Sequence, residues 1–276
     1  MNQGSRIWRL AGILTLVVMA IIALVPTYWM AIASLRTDQA LAQWPPTIVP
    51  IGETLTLNAY RSMLTQDRTI AWLLTSGLIA ASSVAATLLI AVPAAYALSR
   101  GTGPVLGTSA ALLFVSKLLP ATVLITPLYV MMRGLGLLGS PLAVVLGNLS
   151  FAVPLATFFL KGYLDAMPRS IDEAASIDGA SRLRTLVMIV MPNAAPALAA
   201  VAIYVFIVSW NDFIFARTFL SGNATTITVG MTMFMGEFET RWSQLMAIGC
   251  LATLPCLVFF LGLQRHLVRG INVGGL

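Results

Sequence analysis

The sequence has 276 residues, of which 58% are apolar and only 9% are charged, and its formal net charge is +6. Soluble globular domains carry about one quarter charged residues, so this composition excludes that class and is typical of a chain embedded in a lipid bilayer. In such a chain an excess of basic residues is the ordinary mark of the cytoplasmic face. The charge therefore gives no reason to expect a nucleic-acid partner.

Long apolar segments predict six membrane crossings. Five uncharged stretches exceed the ~20 residues that a helix needs to cross the hydrocarbon core. A sixth segment is interrupted by Lys117, which separates two apolar halves that are each too short to cross alone. We therefore predict an all-α integral membrane protein with six transmembrane helices in one domain, residues 1–276. The predicted spans are approximately 10–34, 70–98, 105–132, 142–160, 194–219 and 243–264.

The first three spans differ in composition. The first follows Arg6 and Arg9 and is longer than the apolar region of a signal peptide, so we expect it to stay as an anchor. The second is rich in alanine, serine and threonine, which allow close helix packing inside a bundle. The third contains Pro120 and Pro127, which each remove a backbone donor and predict kinks. Membranes tolerate freed carbonyl groups only where protein or water covers them, so this helix is predicted to line a path.

The distribution of basic residues predicts the orientation. An even number of spans puts both termini on one side of the membrane, and cytoplasmic loops are enriched in lysine and arginine. Cytoplasmic termini place Arg100, Lys161, Arg169 and the basic residues of both ends on the inner side. We therefore expect a multi-pass cell-membrane protein with both termini in the cytoplasm.

The loop between the fourth and fifth spans, residues 161–192, carries the strongest local signals. Ser170 and Glu173 have the spacing of a capping box, which predicts that a helix begins there. Gly179 follows an aspartate and supplies the left-handed position that ends helices. Ser181 can then cap a second helix, which we expect to continue until Pro192.

These two short helices carry small side chains at Ala174, Ala175 and Ala180. Such a compact surface can enter a groove on a partner protein. The alternative is that the first helix lies on the membrane surface. The physical chemistry of the residues leaves both interpretations open.

The same loop resembles a known family. It reads Glu173-Ala174-Ala175, then Gly179, Ile189, Met191 and Pro192. This spacing is similar to the EAA motif of the permeases of binding-protein-dependent ABC importers, with Met191 in place of the usual leucine, a volume-conserving change. Further segments resemble the carbohydrate-uptake branch, specifically its smaller, maltose-type permease. These are Ala95–Arg100, Pro127–Tyr129, Leu135–Leu137, Ile177–Ser181, Trp210–Phe213 and Val229–Gly230, whereas Thr75-Ser76 and the tail Gly270–Leu276 depart from the family pattern.

The resemblance implies partners and a mechanism. The first loop helix would enter a cleft of a cytoplasmic ABC ATPase dimer, and a homologous second permease and an extracytoplasmic solute-binding protein would complete the importer. Glu173 would contact the ATPase, Ala174 and Ala175 would allow close packing, and Asp178 and Gly179 would form the turn before the helix that leads to Pro192. ATP and Mg²⁺ would bind the ATPase, so this chain would be no enzyme and would hold no cofactor or metal. No Gly-x-x-x-x-Gly-Lys-Ser/Thr motif occurs in the sequence.

Two ionisable residues, Lys117 and Asp212, lie at predicted membrane depth, where charges are costly and usually face a cavity or a partner. With Trp210 and Asn211 they are candidates for a path that carries a sugar or a similar solute. Alternatively, Lys117 pairs with Asp212 or with the second permease, and Trp210 only packs.

Other classes of function fit less well. An intramembrane hydrolase would need a histidine or paired carboxylates in a span, whereas the single histidine, His266, follows the last span within a basic cluster. A self-sufficient secondary transporter would show internal repeats and more ionisable residues in the spans. An ABC permease for a peptide, amino acid or polyamine stays open as an alternative.

Overall fold

The computed structural model describes residues 3–44, 47–52, 55–65, 67–116, 120–222, 224–236 and 240–273. In these residues the regular secondary structure is helical, apart from one isolated antiparallel bridge between Met235 and Thr240. Two short segments depart from α-helical geometry: Thr232–Phe234 is a 3₁₀ turn and Leu186–Val190 is π-helical. The helices are α1 Gln3–Ser34, α2 Asp38–Leu41, α3 Asn58–Leu64, α4 Asp67–Arg100, α5 Pro104–Val115, α6 Ala121–Gly134, α7 Pro141–Asp165, α8 Ser170–Ile177, α9 Arg182–Asn193, α10 Ala195–Trp210, α11 Ile214–Phe219, α12 Ile227–Met231 and α13 Trp242–Val273.

Several of these helices are long and apolar enough to cross a bilayer. In the described residues, four pass this test alone: Trp8–Ser34, Arg68–Arg100, Pro141–Asp165 and Trp242–Arg265. A fifth candidate combines α9 with α10, which meet at an angle of 81°. Helices α5 and α6, in the predicted third span, are apolar but shorter. The all-α membrane class is confirmed, while the count of six crossings stays a prediction.

The chain forms two compact units. The first comprises Met1–Thr69 and Met231–Thr253. Within it, the hydroxyl oxygens of Ser34 and Tyr60 lie 2.7 Å apart, and the Asp38 carboxylate accepts the Ser243 amide at 2.8 Å. These bonds attach the end of α1 to α3 and connect the segment that follows α1 to the start of α13.

Arg36 organises the segment that follows α1. Its side chain is buried, with 3% of the residue exposed. The guanidinium donates to the Thr47 carbonyl oxygen at 2.8 Å, to the Thr47 hydroxyl at 2.5 Å and to the Ala40 carbonyl oxygen at 3.4 Å. One side chain therefore joins the helix α2 to the irregular segment that follows it.

Arg36→Met is expected to loosen the segment that follows α1 by about 3 kcal/mol, because bonds from a charged donor contribute strongly and the carbonyl oxygens of Ala40 and Thr47 would lose this donor. Hydrogen–deuterium exchange of residues 37–44 and 47–52 measures the effect. Arg61→Met is the control, since Arg61 is exposed. Equal exchange in both variants would contradict the organising role of Arg36.

The second unit comprises Ile70–Gly230 and Leu254–Leu276 and contains two apolar clusters. One cluster joins α4, α7, α9 and α10 and is built largely of alanine, which lets helices approach closely. The other joins α4, α6, α7 and α11 through larger side chains such as Met132, Phe215 and Phe219. Helices α4 and α7 contribute to both clusters, so they form the framework that positions the loop 161–192.

Close packing also joins α4 to α12. The Ser76 hydroxyl accepts the Ile227 amide at 2.9 Å. One turn of helix away, Gly230 lies against the indole of Trp72, which is 5% exposed. A Cβ atom on Gly230 would lie 2.7 Å from Cζ3 of that ring and closer still to Cδ2 and Cε3. Only a residue without a side chain fits at this position.

Candidate functional site

The predicted loop 161–192 is mostly helical. Helix α7 continues into it as far as Asp165, whose carboxylate pairs with Lys161 at 2.6 Å within the same helix. Helix α8 and helix α9 follow, joined by a short turn. The loop is thus a compact helical segment at one end of α4, α7 and α10.

The start of α8 corrects one prediction. The helix begins at Ser170 as expected, but the predicted capping box between Ser170 and Glu173 is wrong. The capping position is Arg169, in right-handed helical conformation without a side-chain cap, and its carbonyl oxygen accepts the Glu173 amide at 3.1 Å. A side-chain cap requires an extended residue before the first turn, and here Ser170 is already helical.

The end of α8 confirms the predicted turn. Gly179 has a φ of +76°. The Ala180 amide donates to the Ala175 carbonyl oxygen at 2.9 Å, and the Gly179 amide donates to the Ser176 carbonyl oxygen at 3.1 Å. These two bonds define a Schellman motif with glycine in the left-handed position. The turn between α8 and α9 therefore has a fixed geometry.

Helix α9 begins as predicted but ends later. The Ser181 hydroxyl accepts the Arg184 amide at 3.4 Å and so caps its start. The predicted end at Pro192 lies one residue before the observed end of α9 at Asn193. Pro192 lies in the first turn after the π-helical segment, where a missing amide is tolerated. The 81° bend follows at Ala194, between α9 and α10.

The outward surface of α8 carries small and apolar side chains together with two acidic ones. Glu173, Ala174, Asp178 and Gly179 are exposed, and Ile177 is 87% exposed. Leu183, at the start of α9, is exposed as well, whereas Ala175 is buried. The part of the chain that the structure describes thus leaves the side chains of Ile177 and Leu183 largely uncovered.

The inward surface of α8 carries a polar contact that sequence reasoning missed. Both oxygens of the Asp172 carboxylate accept bonds from α4: the Tyr96 hydroxyl donates at 2.6 Å and the Arg100 Nε at 2.8 Å. A polar cavity of about 220 Å³ adjoins this contact, with Arg169 and Arg182 in its lining. The sequence shows a charged residue, Arg100 or Asp172, at the end of each of two predicted helices. It does not show that these two residues contact each other.

The second group of candidate residues lies at a helix break. Helix α10 ends at Trp210 and α11 begins at Ile214, so the helix is interrupted within the predicted span 194–219. The Asp212 carboxylate accepts the amides of Phe215 at 3.2 Å and Ala216 at 3.0 Å, which caps α11. Asn211 is exposed, and its amide nitrogen donates to the Ile207 carbonyl oxygen at 2.8 Å.

The side chain of Trp210 packs inside the protein. It is 4% exposed, and its ring lies 5.7 Å from the ring of Phe206, measured between centroids. The structure thus brings Trp210, Asn211 and Asp212 to one break. Lys117, the fourth candidate, lies outside the described residues, as does its suggested pairing with Asp212.

Comparison with known proteins identifies the family. A family profile described as binding-protein-dependent transport system inner membrane component matches residues 103–273. The chain is 34% identical over 278 residues to the trehalose/maltose transport system permease protein MalG of Thermococcus litoralis, which covers 97% of this chain and 96% of that protein. It is 32% identical over 254 residues to the sulfoquinovosyl glycerol transport system permease protein SmoH of Agrobacterium fabrum, covering 92% and 88% of the two chains.

A solved structure has the same fold. The crystal structure of a bacterial ABC transporter involved in the import of alginate contains a chain that matches with a TM-score of 0.81 and 20% identity, covering 96% of this chain and 98% of that chain. The fold expected from the resemblance is therefore confirmed. Together, the profile, the relatives and the fold show that this chain belongs to the binding-protein-dependent transport system inner membrane components, the permeases of ABC importers.

Proposed function

We propose that this chain is the membrane-spanning subunit of an ATP-driven importer that moves a sugar across the cell membrane by alternating access. The family description supports import that depends on a binding protein. The names of two relatives, which refer to trehalose and maltose and to sulfoquinovosyl glycerol, support a sugar or a sugar-like solute. ATP and Mg²⁺ bind a separate ATPase subunit in this proposal, and this chain converts the movement of that subunit into transport.

The observation that carries the proposal is the outward surface of α8. Glu173, Ala174 and Ile177 form a small, exposed face on a helix whose end is fixed by Gly179. A groove on a cytoplasmic ATPase dimer would cover this face, and full burial of Ile177 would contribute about 1.5–3 kcal/mol to binding. Ala175 supports the helix from inside, Asp178 belongs to the turn, and the exposed Pro192 lies at the far end of α9.

Other partners follow from the exposed spans and the charges. The apolar side chains of α1 are exposed along most of its length, a surface that lipid or a homologous second permease would cover. Arg169, Arg182 and Arg184 in the loop support a cytoplasmic location for this side, and hence cytoplasmic termini. The solute-binding protein would then deliver the sugar from the opposite side.

We place the solute path at the break between α10 and α11. Asn211 is exposed there and offers its carbonyl oxygen to a sugar hydroxyl, while Trp210 supports the break from inside. Asp212 holds the start of α11 with both carboxylate oxygens. Lys117 is assigned to the same path on the ground that a charge at membrane depth usually faces a cavity or a partner.

The cap at Asp212 gives a testable prediction. Asp212→Ala should destabilise α11 by about 1–2 kcal/mol, because two amides lose their acceptor. Asp212→Asn, whose single side-chain oxygen can still accept an amide, should lose less stability than Asp212→Ala and keep most of the transport. Thermal unfolding of the purified chain and sugar uptake by the complex measure the two effects. Loss of uptake in the asparagine variant with unchanged unfolding would instead assign the carboxylate to the solute.

Purification of the chain from detergent, with identification of every co-purifying protein, tests the whole proposal. The purified complex and the binding protein would be exposed to a panel of sugars, amino acids, peptides and polyamines while ATP hydrolysis is measured. Recovery of an ATPase and a second permease, with hydrolysis stimulated by a sugar, is the expected result. Stimulation by another solute class would overturn the sugar assignment, and transport by the chain alone would overturn the ATP-driven mechanism.

A further inference from the structure

Arg100, the last residue of α4, contacts two other helical segments. Its guanidinium donates to the carbonyl oxygens of Leu164 at 2.9 Å and Met167 at 3.3 Å, at the end of α7. Its Nε donates to the Asp172 carboxylate on α8 at 2.8 Å. Carbonyl groups in the last turn of a helix lack partners within the helix, and the rigid fork of arginine can serve several acceptors at once. A single side chain therefore joins α4, α7 and α8.

Two further bonds strengthen the same connection. Tyr96 lies four residues before Arg100, on the same face of α4, and its hydroxyl donates to the other oxygen of Asp172 at 2.6 Å. In the opposite direction, Arg169 donates to the Ser99 carbonyl oxygen at 3.3 Å. We refer to Tyr96, Arg100 and Asp172 as the clamp. Tyr96 and Arg100 belong to the last turns of α4, and Asp172 belongs to the first turn of α8, so the clamp joins these two helix ends.

The clamp differs from an ordinary surface ion pair. The side chains of Arg100 and Asp172 are only 10% and 19% exposed, and the carboxylate is bonded on both oxygens. Charge-assisted bonds in such a setting are stronger than neutral ones. The pair Lys161–Asp165 is more exposed and joins two residues of one helix, although the Asp165 carboxylate also lies within reach of the Ser99 hydroxyl on α4.

The clamp also connects helices that are distant in the chain. Arg100 and Asp172 are separated by 72 positions. Helix α8 is covalently continuous with α7 on one side and α9 on the other, but not with α4. Movement of α8 reaches α4 only through non-covalent contacts, and among these the clamp provides the shortest charged hydrogen bonds, while Arg169 adds a longer one to the Ser99 carbonyl oxygen.

We propose that the clamp makes α8 and the adjoining end of α4 move as one body, so that displacement of α8 by the ATPase is delivered directly to α4. This inference rests on the proposed function. Tyr96, Arg100 and Asp172 are positioning residues in this scheme, since they touch neither ATP nor solute. Helix α4 in turn packs on α12 through Ser76 and Trp72, so the movement continues along the span.

The test measures sugar uptake and ATP hydrolysis in the same proteoliposomes, using the complete complex and the sugar that most stimulates the wild-type complex. Asp172→Asn removes the charge of the clamp and leaves the outward face of α8 unchanged. We expect hydrolysis to persist and the ATP consumed per sugar transported to rise about fivefold or more. Tyr96→Phe removes one bond only and should give a smaller rise. Lys161→Gln, which breaks the ion pair inside α7, is the matched control and should leave the ratio unchanged.

A conservative variant separates coupling from structural support. Asp172→Glu keeps a carboxylate on the inward face of α8 and should restore the ratio toward the wild-type value. If Asp172→Asn and Tyr96→Phe lose uptake and hydrolysis in proportion, the ATP consumed per sugar transported stays unchanged. This result would contradict the coupling role of the clamp and would show that it only stabilises the fold. If the complex with Asp172→Asn fails to assemble, the Tyr96→Phe variant tests the coupling role instead, since it keeps the aromatic ring and the Arg100–Asp172 ion pair. Absence of sugar-stimulated hydrolysis in the wild-type complex would overturn the proposed function itself, and the clamp with it.

Discussion

Gly230→Ala should lower the free energy of unfolding of the chain by about 3 kcal/mol, because overpacking a filled interior forces side chains and backbone to shift. The added Cβ would overlap the buried indole of Trp72, within 2.7 Å of Cζ3. The ring has little room to move away, since Trp72 is only 5% exposed. We therefore expect α12 to lose its packing on α4 and the chain to be recovered in lower amounts.

The thermal unfolding midpoint of the detergent-purified protein measures this effect. Gly77→Ala is the matched control, because Gly77 lies on α4 with no heavy atom of a neighbouring segment within 4 Å of an added Cβ. The double variant Gly230→Ala/Trp72→Phe should recover part of the loss, since the smaller ring leaves space for the methyl group. An unfolding midpoint equal to that of Gly77→Ala would contradict the packing argument.

Gly179→Val should weaken binding of the ATPase about tenfold while the membrane helices remain folded. Gly179 has a φ of +76°, a conformation that costs other residues roughly 1–2 kcal/mol and is least accessible to β-branched side chains. No neighbouring atom lies within 4 Å of an added Cβ, so strain in the backbone is the cause and a clash is not. Relief of this strain would break the Schellman bonds and displace the end of α8.

Gly179→Asn separates strain from the mere presence of a side chain, because asparagine tolerates the left-handed conformation. It should keep most of the ATPase binding. Co-purification of the ATPase and the unfolding midpoint are measured for both variants. Retention of the ATPase by the valine variant, or equal loss in both variants, would contradict the role assigned to the turn.

Local chemistry explains which features of the loop could be predicted. Gly179 and Ser181 act through their own backbone and through residues at most four positions away, so the sequence suffices to predict the end of α8 and the start of α9. The capping box failed for a similarly local reason, since the conformation of Arg169 decides whether Ser170 can cap. Spacing alone does not specify that conformation.

Contacts between residues that are far apart in the chain could not be predicted from the sequence. The clamp joins Arg100 to Asp172 across 72 positions, and only the packing of α4 on the loop brings them together. At the break after Trp210 the signal was visible, because Asn211 and Asp212 are typical of helix ends and starts. The long apolar run around them favoured a continuous span and hid the break. The family and the all-α fold were predictable, since they depend on hydrophobic segments and on one closely spaced motif.

The short helices α5 and α6 have a consequence for biosynthesis. With 12 and 14 residues they extend only about 18 and 21 Å, less than the ~30 Å of the hydrocarbon core. Both pack against α7, and α6 also packs against α11, which the ribosome produces later. Neither helix alone is long enough to cross the hydrocarbon core. We therefore expect that α5 and α6 do not insert stably in the membrane while the nascent chain ends after α6. Their insertion should become stable only after α7 and then α11 have been synthesised.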